Sequence, residues 1–402
     1  MAFGKVFSVL SVDARRLLEG FACFRAVAAT TNWYCGAAFL SSGGSVVSLV
    51  GLGALYVVCI GIGYSGVGLF AAGRRRMTTR GALSAAFCLS ALSPLAFVSL
   101  GPVAFAALHG LGHGCYYLGW HAHLLRHSED EERDGFMAVC MAIVQAWQVA
   151  FPLAAWLGFA AARSASSDSG VALLVILSVF AVAGAVVTFR LSPTEIPVCS
   201  PRRVRDLLLD RSRLTTNAWA GLLRVDAAEG YVLSAIASAS MLSGLPELAA
   251  LQLGVGVAGL CAATALARFA RSSDRRRSVL LGGVGMAFSS VLFPLASGFG
   301  AVALGGLLSL RSVAGSLWGA ASSALEVSLG SAANPTAAME AMIARDVAVC
   351  VGRVAFFALL LPLAFFVSDE RTFSALAFGA LSVCYLVSTL LTLRVFFSSA
   401  SP

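Results

Sequence analysis

Residues 45–76 read SVVSLVGLGALYVVCIGIGYSGVGLFAAGRRR, with no charged side chain from Ser45 to Gly73 and then three arginines in succession. At about 1.5 Å of rise per residue, such a run crosses a hydrocarbon core about 30 Å thick and sets Arg74, Arg75 and Arg76 at headgroup level. A helix satisfies its own backbone polar groups, which lipid demands of any spanning segment. The stretch is therefore expected as a transmembrane helix over 45–69. Within it, Gly61-Ile-Gly63-Tyr-Ser-Gly66 would let neighbouring helices approach closely. The same GxGxxG spacing marks dinucleotide binding only after a strand and before a helix, a setting an apolar span does not provide.

Comparable stretches recur along the chain, and the reading places spans at 20–42, 45–69, 80–99, 102–124, 135–160, 170–190, 228–245, 248–268, 278–297, 299–326, 342–367 and 372–395. The composition agrees: 58% of the 402 residues are hydrophobic and 12% charged, where a soluble domain carries about a quarter charged. The expected fold class is an all-α integral membrane protein of about twelve transmembrane helices in two six-helix halves. Counting residues at span ends with the loop they adjoin, 23 of the 28 Lys and Arg sort to the tails and the loops on one side, two (Arg163 and Arg371) to the other side, and three (Arg25, Arg311 and Arg353) lie within spans. By the positive-inside rule both termini are cytoplasmic, in a plasma or inner membrane. The net charge of +8 thus reflects topology, and nucleic acid is not expected as a partner.

The corresponding divisions are a cytoplasmic amphipathic N-terminus (1–19), an N-terminal six-helix bundle (20–190), a basic cytoplasmic linker (191–227), a C-terminal six-helix bundle (228–395) and a cytoplasmic tail (396–402). The first twenty residues lack the apolar centre and cleavage site of a secretory signal. The ten cysteines are scattered singly, giving neither a disulfide framework nor a zinc pattern.

The two halves resemble each other. Gly254-Val-Gly256-Val-Ala-Gly259, with basic residues after it, stands in the second half where Gly61 to Gly66 stands in the first. Ala138-Val139-Cys140 and Pro152-Leu153-Ala154 recur as Ala348-Val349-Cys350 and Pro362-Leu363-Ala364, both offset by 210 residues. A parallel duplication relates such halves by an axis along the membrane normal.

With its spans, its long basic central loop and its basic loops after spans two and eight, the chain resembles the major facilitator superfamily. That resemblance implies alternating access, with a solute cavity at the midplane between the halves. The family's loop after span two carries an Asp and an Arg between two glycines. Here Gly66 through Gly73 and Arg74-Arg75-Arg76 keep the glycines and the basic tail, and Phe70 stands where the Asp would.

Chemistry is expected at the intramembrane polar residues. All five histidines lie on the fourth span and its exit, and His109, His113, His123 and His127 fall within an arc of about 80° with His121 further round. Imidazoles titrate near neutrality, so His109 and His113 are candidates for proton coupling, with Glu229 near the start of span seven. Their i, i+4 spacing also suits a divalent metal, although no second ligand cluster completes a site. Arg311 and Arg353 lie deep in spans ten and eleven, where a guanidinium costs about 2.5–3.5 kcal/mol on insertion scales and needs a counter-charge or an anionic ligand. Asn32, Tyr34, Gln145, Gln148, Gln252 and Trp318 are candidates to complete a solute cavity.

These residues read as a monomeric secondary transporter of a small, anionic solute, coupled to protons, with no cofactor and no enzymatic activity. The alternatives are a transport-incompetent sensor or scaffold, a divalent-metal transporter using the span-four histidines, and a membrane di-iron enzyme. The last needs around eight histidines from several segments, and this chain has five on one helix.

Overall fold

The computed structural model describes residues 11–71, 77–127, 140, 143–144, 146–147, 149–155, 157–158, 169–223, 251–261, 275–296, 301–329 and 334–397. The described residues are helical apart from short connections and contain no strand. Helix α1 (Val12–Ala29) passes through a π-helical turn (Thr30–Cys35) into α2 (Gly36–Ser41), and α3 (Val46–Gly61) widens into a π-helical stretch (Ile62–Ala71). Then follow α4 (Thr79–Leu100), α5 (Pro102–His127), helical residues within 140–158, and α6 (Ser169–Phe189). The second half holds α7 (Pro201–Leu209), α8 (Leu214–Leu223), α9 (Leu251–Cys261), α10 (Arg275–Ala296), α11 (Ala301–Leu329), α12 (Pro335–Phe366) and α13 (Glu370–Phe397).

Helix starts follow local chemistry. The side chains of Ser11, Ser45 and Thr78 accept from the backbone N–H of Ala14, Ser48 and Gly81, and Asn334 caps α12 ahead of Pro335, whose missing donor costs nothing at a first turn. Gly101 alone joins α4 to α5 at φ +86, a left-handed conformation that favours glycine.

Six stretches are long and apolar enough to cross a membrane: Val46–Leu69, Thr79–Leu100, Val171–Phe189, Arg276–Leu295, Pro335–Phe366 and Glu370–Phe396. On α6, Val171, Val175, Val179, Val182 and Val186 are all at least 50% exposed and follow one another at spacings of four, four, three and four. They form a continuous apolar stripe. Such a face has no use in water and suits lipid, so the chain is a multi-pass membrane protein.

Close approach at glycine holds the interior together. Helix α5 packs on both α3 and α4, α10 on α11 and α13, and α12 crosses to the first half to pack along α3. A Cβ on Gly63 would meet Leu111 O at 2.5 Å and Gly114 Cα at 3.1 Å, and a Cβ on Gly114 would strike Ile60 O and Tyr64 N. Gly61 faces Cys350 of α12, whose thiol points at Val57 O at 3.7 Å. The first-half GxGxxG is thus a helix-packing motif, as its apolar setting implies. In the second half, no atom of the described residues lies within 4 Å of a Cβ built on Gly254.

Three boundaries differ from the sequence expectation. Helix α1 begins at Val12, eight residues before the expected span, because Ser11 caps it. Helix α12 begins at Pro335 instead of 342. The stretch 191–227, expected as a loop, holds α7 and α8, and Trp219 of α8 is fully buried, donating to Thr392 Oγ1 at 2.7 Å and packing edge-on against Phe396. The signal was present in Ser200-Pro201 as a cap and first turn, and in Val204, Leu207 and Leu208 as an apolar face.

Between α6 and α7 the chain runs extended against the residues ahead of α4. Thr79 N donates to Thr194 O at 2.7 Å and Ile196 N to Met77 O at 2.9 Å, with an antiparallel bridge between Thr78 and Glu195. Ile196, Cys199 and Val204 then pack with Tyr64 and Leu118 of the first half and Met339, Ile343 and Ala344 of α12. Ser200 N donates to Glu340 Oε1 at 2.9 Å, and Arg203 stands 3.7 Å from Glu340 Oε2.

Adding one methyl group should separate these roles. Gly114→Ala forces a Cβ into backbone and should lower the Tm of detergent-purified protein, on the scale of an overpacked core, about 1–3 kcal/mol. Gly51→Ala, with nothing within 4 Å, should instead hold or raise the Tm through helix propensity, by about 0.5–1 kcal/mol.

Candidate functional site

The polar residues of α5 point inward, and the helix supplies them with partners from both flanking helices. His109 is fully buried: Thr31 Oγ1 lies 2.5 Å from its Nε2, Ser93 Oγ 3.4 Å from its Nδ1, and Phe105 stacks on its ring at 5.3 Å. His113, 3% exposed, has Tyr56 OH at 2.6 Å from Nδ1 and meets His109 edge-on at 4.7 Å. One helical length further on, Tyr64 OH lies 2.9 Å from His121 Nδ1. The expected stripe is real for His109, His113 and His123, which are all buried, while the side chain of His127 lies outside the described residues.

The π-helical segments explain how these pairs are reached. Thr31 sits in the first and Tyr64 in the second, where the wider turn shifts the side chains that follow. Thr30 and Thr31 both bond back to carbonyls one turn earlier, at 2.9 Å and 3.2 Å, compensating the locally altered ladder.

Two cations act on His113 electrostatically. Arg25 of α1 and Arg353 of α12 both lie within electrostatic reach of its ring, one from each half of the chain. Arg25 also acts on Tyr116, whose ring stacks face to face on Phe24 at 3.7 Å. Arg353 lies one turn beyond Cys350, at the seam where α12 runs along α3, with Asp346 on the other side of that cysteine. Tyr56 and His113 are thus hydrogen-bonded beside Phe24 and Tyr116, with Arg25 and Arg353 in electrostatic range of the imidazole.

Sequence reading missed Arg25 as a candidate. This residue lies five residues into the span expected from 20, and α1 continues on its N-terminal side through the charged turns of Asp13, Arg15, Arg16 and Glu19.

Arg311 has different company. It is 5% exposed; its Nη1 donates to Met286 O at 3.1 Å, Ser289 Oγ at 3.0 Å and Ser290 Oγ at 2.7 Å, and its Nη2 to Tyr385 OH at 3.4 Å. The guanidinium also stands 5.4 Å from the Tyr385 ring centre. All these groups belong to α10 and α13 within the second half. Trp318 is buried nearby against Gly282 and Gly283 of α10, and Gln252 is buried on α9. The side chains of Asn32 and Tyr34, and residues Gln145, Gln148 and Glu229, lie outside the described residues. Among the described residues no three His, Cys, Asp or Glu side chains gather where they could hold a metal ion.

In sequence the chain matches no family model and no curated protein. In structure it is similar to the human organic anion transporter MFSD10 (TETRAN), at a TM-score of 0.60 and 15% identity over 94% of this chain and 97% of that one. The protein therefore has the major facilitator fold that its spans and central loop resemble.

The two deep arginines should separate by experiment. Arg311→Ala removes charged donors and leaves a cavity, and should lower the Tm by an amount equivalent to roughly 2–5 kcal/mol; Tyr385→Phe should cost about 0.5–1.5 kcal/mol. Thermal unfolding in detergent reads both.

Proposed function

We propose that this major facilitator fold is a secondary transporter of a small organic anion, working by alternating access across the seam between α3 and α12. The observation that carries the reading is the buried Tyr56–His113 hydrogen bond at 2.6 Å, with Arg25 and Arg353, contributed by opposite halves, both within electrostatic range of that imidazole. Guanidinium groups offer forked donors that match a carboxylate or phosphate. A ligand bridging the halves is also the element whose binding can bias one arrangement of the halves against another. The organic anion transported by the structural neighbour supports the same substrate class.

Proton coupling belongs to the same hydrogen-bonded pair. The Tyr56–His113 hydrogen bond gives a path by which a proton on the imidazole and an anion beside it would favour each other electrostatically, whereas a bare imidazolium next to Arg25 and Arg353 would be opposed. Arg311 serves this scheme as an internal brace, its donors taken up by α10 and α13. The membrane is the plasma or inner membrane, with both termini and the 191–213 segment on the cytoplasmic side, as the distribution of arginines implies.

On that side the seam is closed. Gly68 meets Ile343, and Cys199 of the linker, 3% exposed, is buried in the cluster with Tyr64, Leu118 and Ile343, its thiol pushed up to about 12 by burial and, second, by Glu340. Alternating access requires this seal to open.

A panel of mono- and dicarboxylates should include one that raises the Tm of the purified protein, since a ligand at a hundred times its Kd adds about 2.7 kcal/mol to stability. Arg353→Gln and Arg25→Gln should lose that shift and lose anion uptake into proteoliposomes, while Arg311 variants lose stability first. Stabilisation without any uptake would favour the sensor reading, to which Phe70 in place of the usual acidic residue lends weight. In a variant whose only cysteine is Cys199, maleimide labelling should be slow without ligand and faster under conditions that drive turnover.

A further inference from the structure

Glu340, in the second turn of α12, is a buried acid whose partners both come from the linker. Its side chain is 4% exposed; Ser200 N donates to Oε1 at 2.9 Å, and Arg203 stands 3.7 Å from Oε2. A carboxylate taken out of water needs compensation, and the two partners supply it unequally. The Arg203 side chain is 70% exposed and beyond hydrogen-bond distance, so solvent screens most of its pull. Ser200 is the N-cap of α7, which places its N–H at the positive end of that helix. Donor and helix end thus act on one carboxylate, and a hydrogen bond to a charged group is the stronger kind.

What this bond seats is a wedge. Upstream, the strap is tied to the first half through Thr79 N on Thr194 O and Ile196 N on Met77 O. Ile196 and Cys199, 4% and 3% exposed, and Val204 beyond them share one apolar cluster with Tyr64 and Leu118 of the first half and with Met339, Ile343 and Ala344 of α12. Next to them Gly68 lies between Leu118 and Ile343, where an added Cβ would meet the two side chains at 3.1 and 3.2 Å. The stretch after α3 supplies no acid to hold this place, since residues 66–76 read GVGLFAAGRRR.

Parting α12 from the first half on this side separates the two walls of the cluster, and the linker side chains seated between them must then leave. We infer that Glu340 is a latch: by holding the N-terminus of α7 it seats residues 194–204 between the halves, and the linker side of the seam opens when the Ser200–Glu340 bond breaks. The latch is a property of the fold, and its consequence for solute movement rests on the alternating-access reading above.

Hydrogen–deuterium exchange of the detergent-purified full chain, read by mass spectrometry, tests it over three segments: the linker (194–204), the end of α3 (64–70) and the start of α12 (336–346). In Glu340→Ala, exchange should rise about tenfold or more in all three, the scale of a lost hydrogen bond to a charged group. Ser200→Pro removes the donor and leaves the acid, at a φ of −87 that proline tolerates, and should give the same pattern. Arg203→Gln should change exchange by less than about threefold. Exchange in α10 and α11 reports the fold as a whole and should stay as in the wild type. A rise confined to 194–204 means a linker fraying over a seam that closes without it, and overturns the latch. So does no rise in Glu340→Ala and Ser200→Pro, an equal rise in Arg203→Gln, or a rise that extends to α10 and α11 in both latch variants. Protein that shows the expected exchange pattern yet takes up no anion in proteoliposomes keeps the latch and overturns the transporter reading, so the two fail separately.

Discussion

Backbone lying directly against backbone at Gly63 and Gly114 is the constraint on which the rest of the first half depends. In lipid no hydrophobic drive pulls helices together, so their association rests on packing and on hydrogen bonds across the contact. Glycine allows both at once. Because α3 and α5 lie so close, the hydroxyls of Tyr56 and Tyr64 reach His113 and His121 directly, at 2.6 and 2.9 Å. On its other edge α3 gives Gly61 to Cys350 of α12, so one helix carries both the interior of the first half and the seam with the second.

Charge is handled in two ways in this interior, and the difference separates scaffold from site. Around Arg311 the protein supplies oxygens from Ser289, Ser290, Met286 and Tyr385, all from helices that already pack against one another. A cation dressed by neutral dipoles of its own bundle is a brace. Around His113 the cations in electrostatic range come from α1 and α12, elements of opposite halves, and the hydrogen-bonded pair itself is a phenol and an imidazole that can donate or accept.

Much of this was written in local sequence. The apolar runs give the spans, the glycine spacing gives the α3 packing, and the histidine spacing gives one inward face of α5, because each depends on a short-range period. Arg25 was not legible, since its electrostatic reach to His113 depends on how α1 and α5 pack and on no local period. The partners of Arg311 were not legible either: serines at 289 and 290 and a tyrosine at 385 become neighbours only when α10, α11 and α13 pack. The linker misled because six arginines between 202 and 224 speak louder than Ile196, Cys199 and Val204, which the fold nonetheless buries.

The strap of Thr194 to Ile196 along Met77 to Thr79 has a mechanical consequence. A slack tether between two bodies lets each turn without informing the other. Here the tether is riveted to the foot of α4 at one end and, through Ser200 and Glu340, to the foot of α12 at the other, leaving only a few residues of play between the two anchor points. Since Gly101 couples α4 to α5 with a single residue, a tilt of α12 is transmitted as a pull on the hairpin that carries the histidines. The linker is built as a connecting rod, and its length, more than its charge, sets the distance between the foot of α4 and the foot of α12.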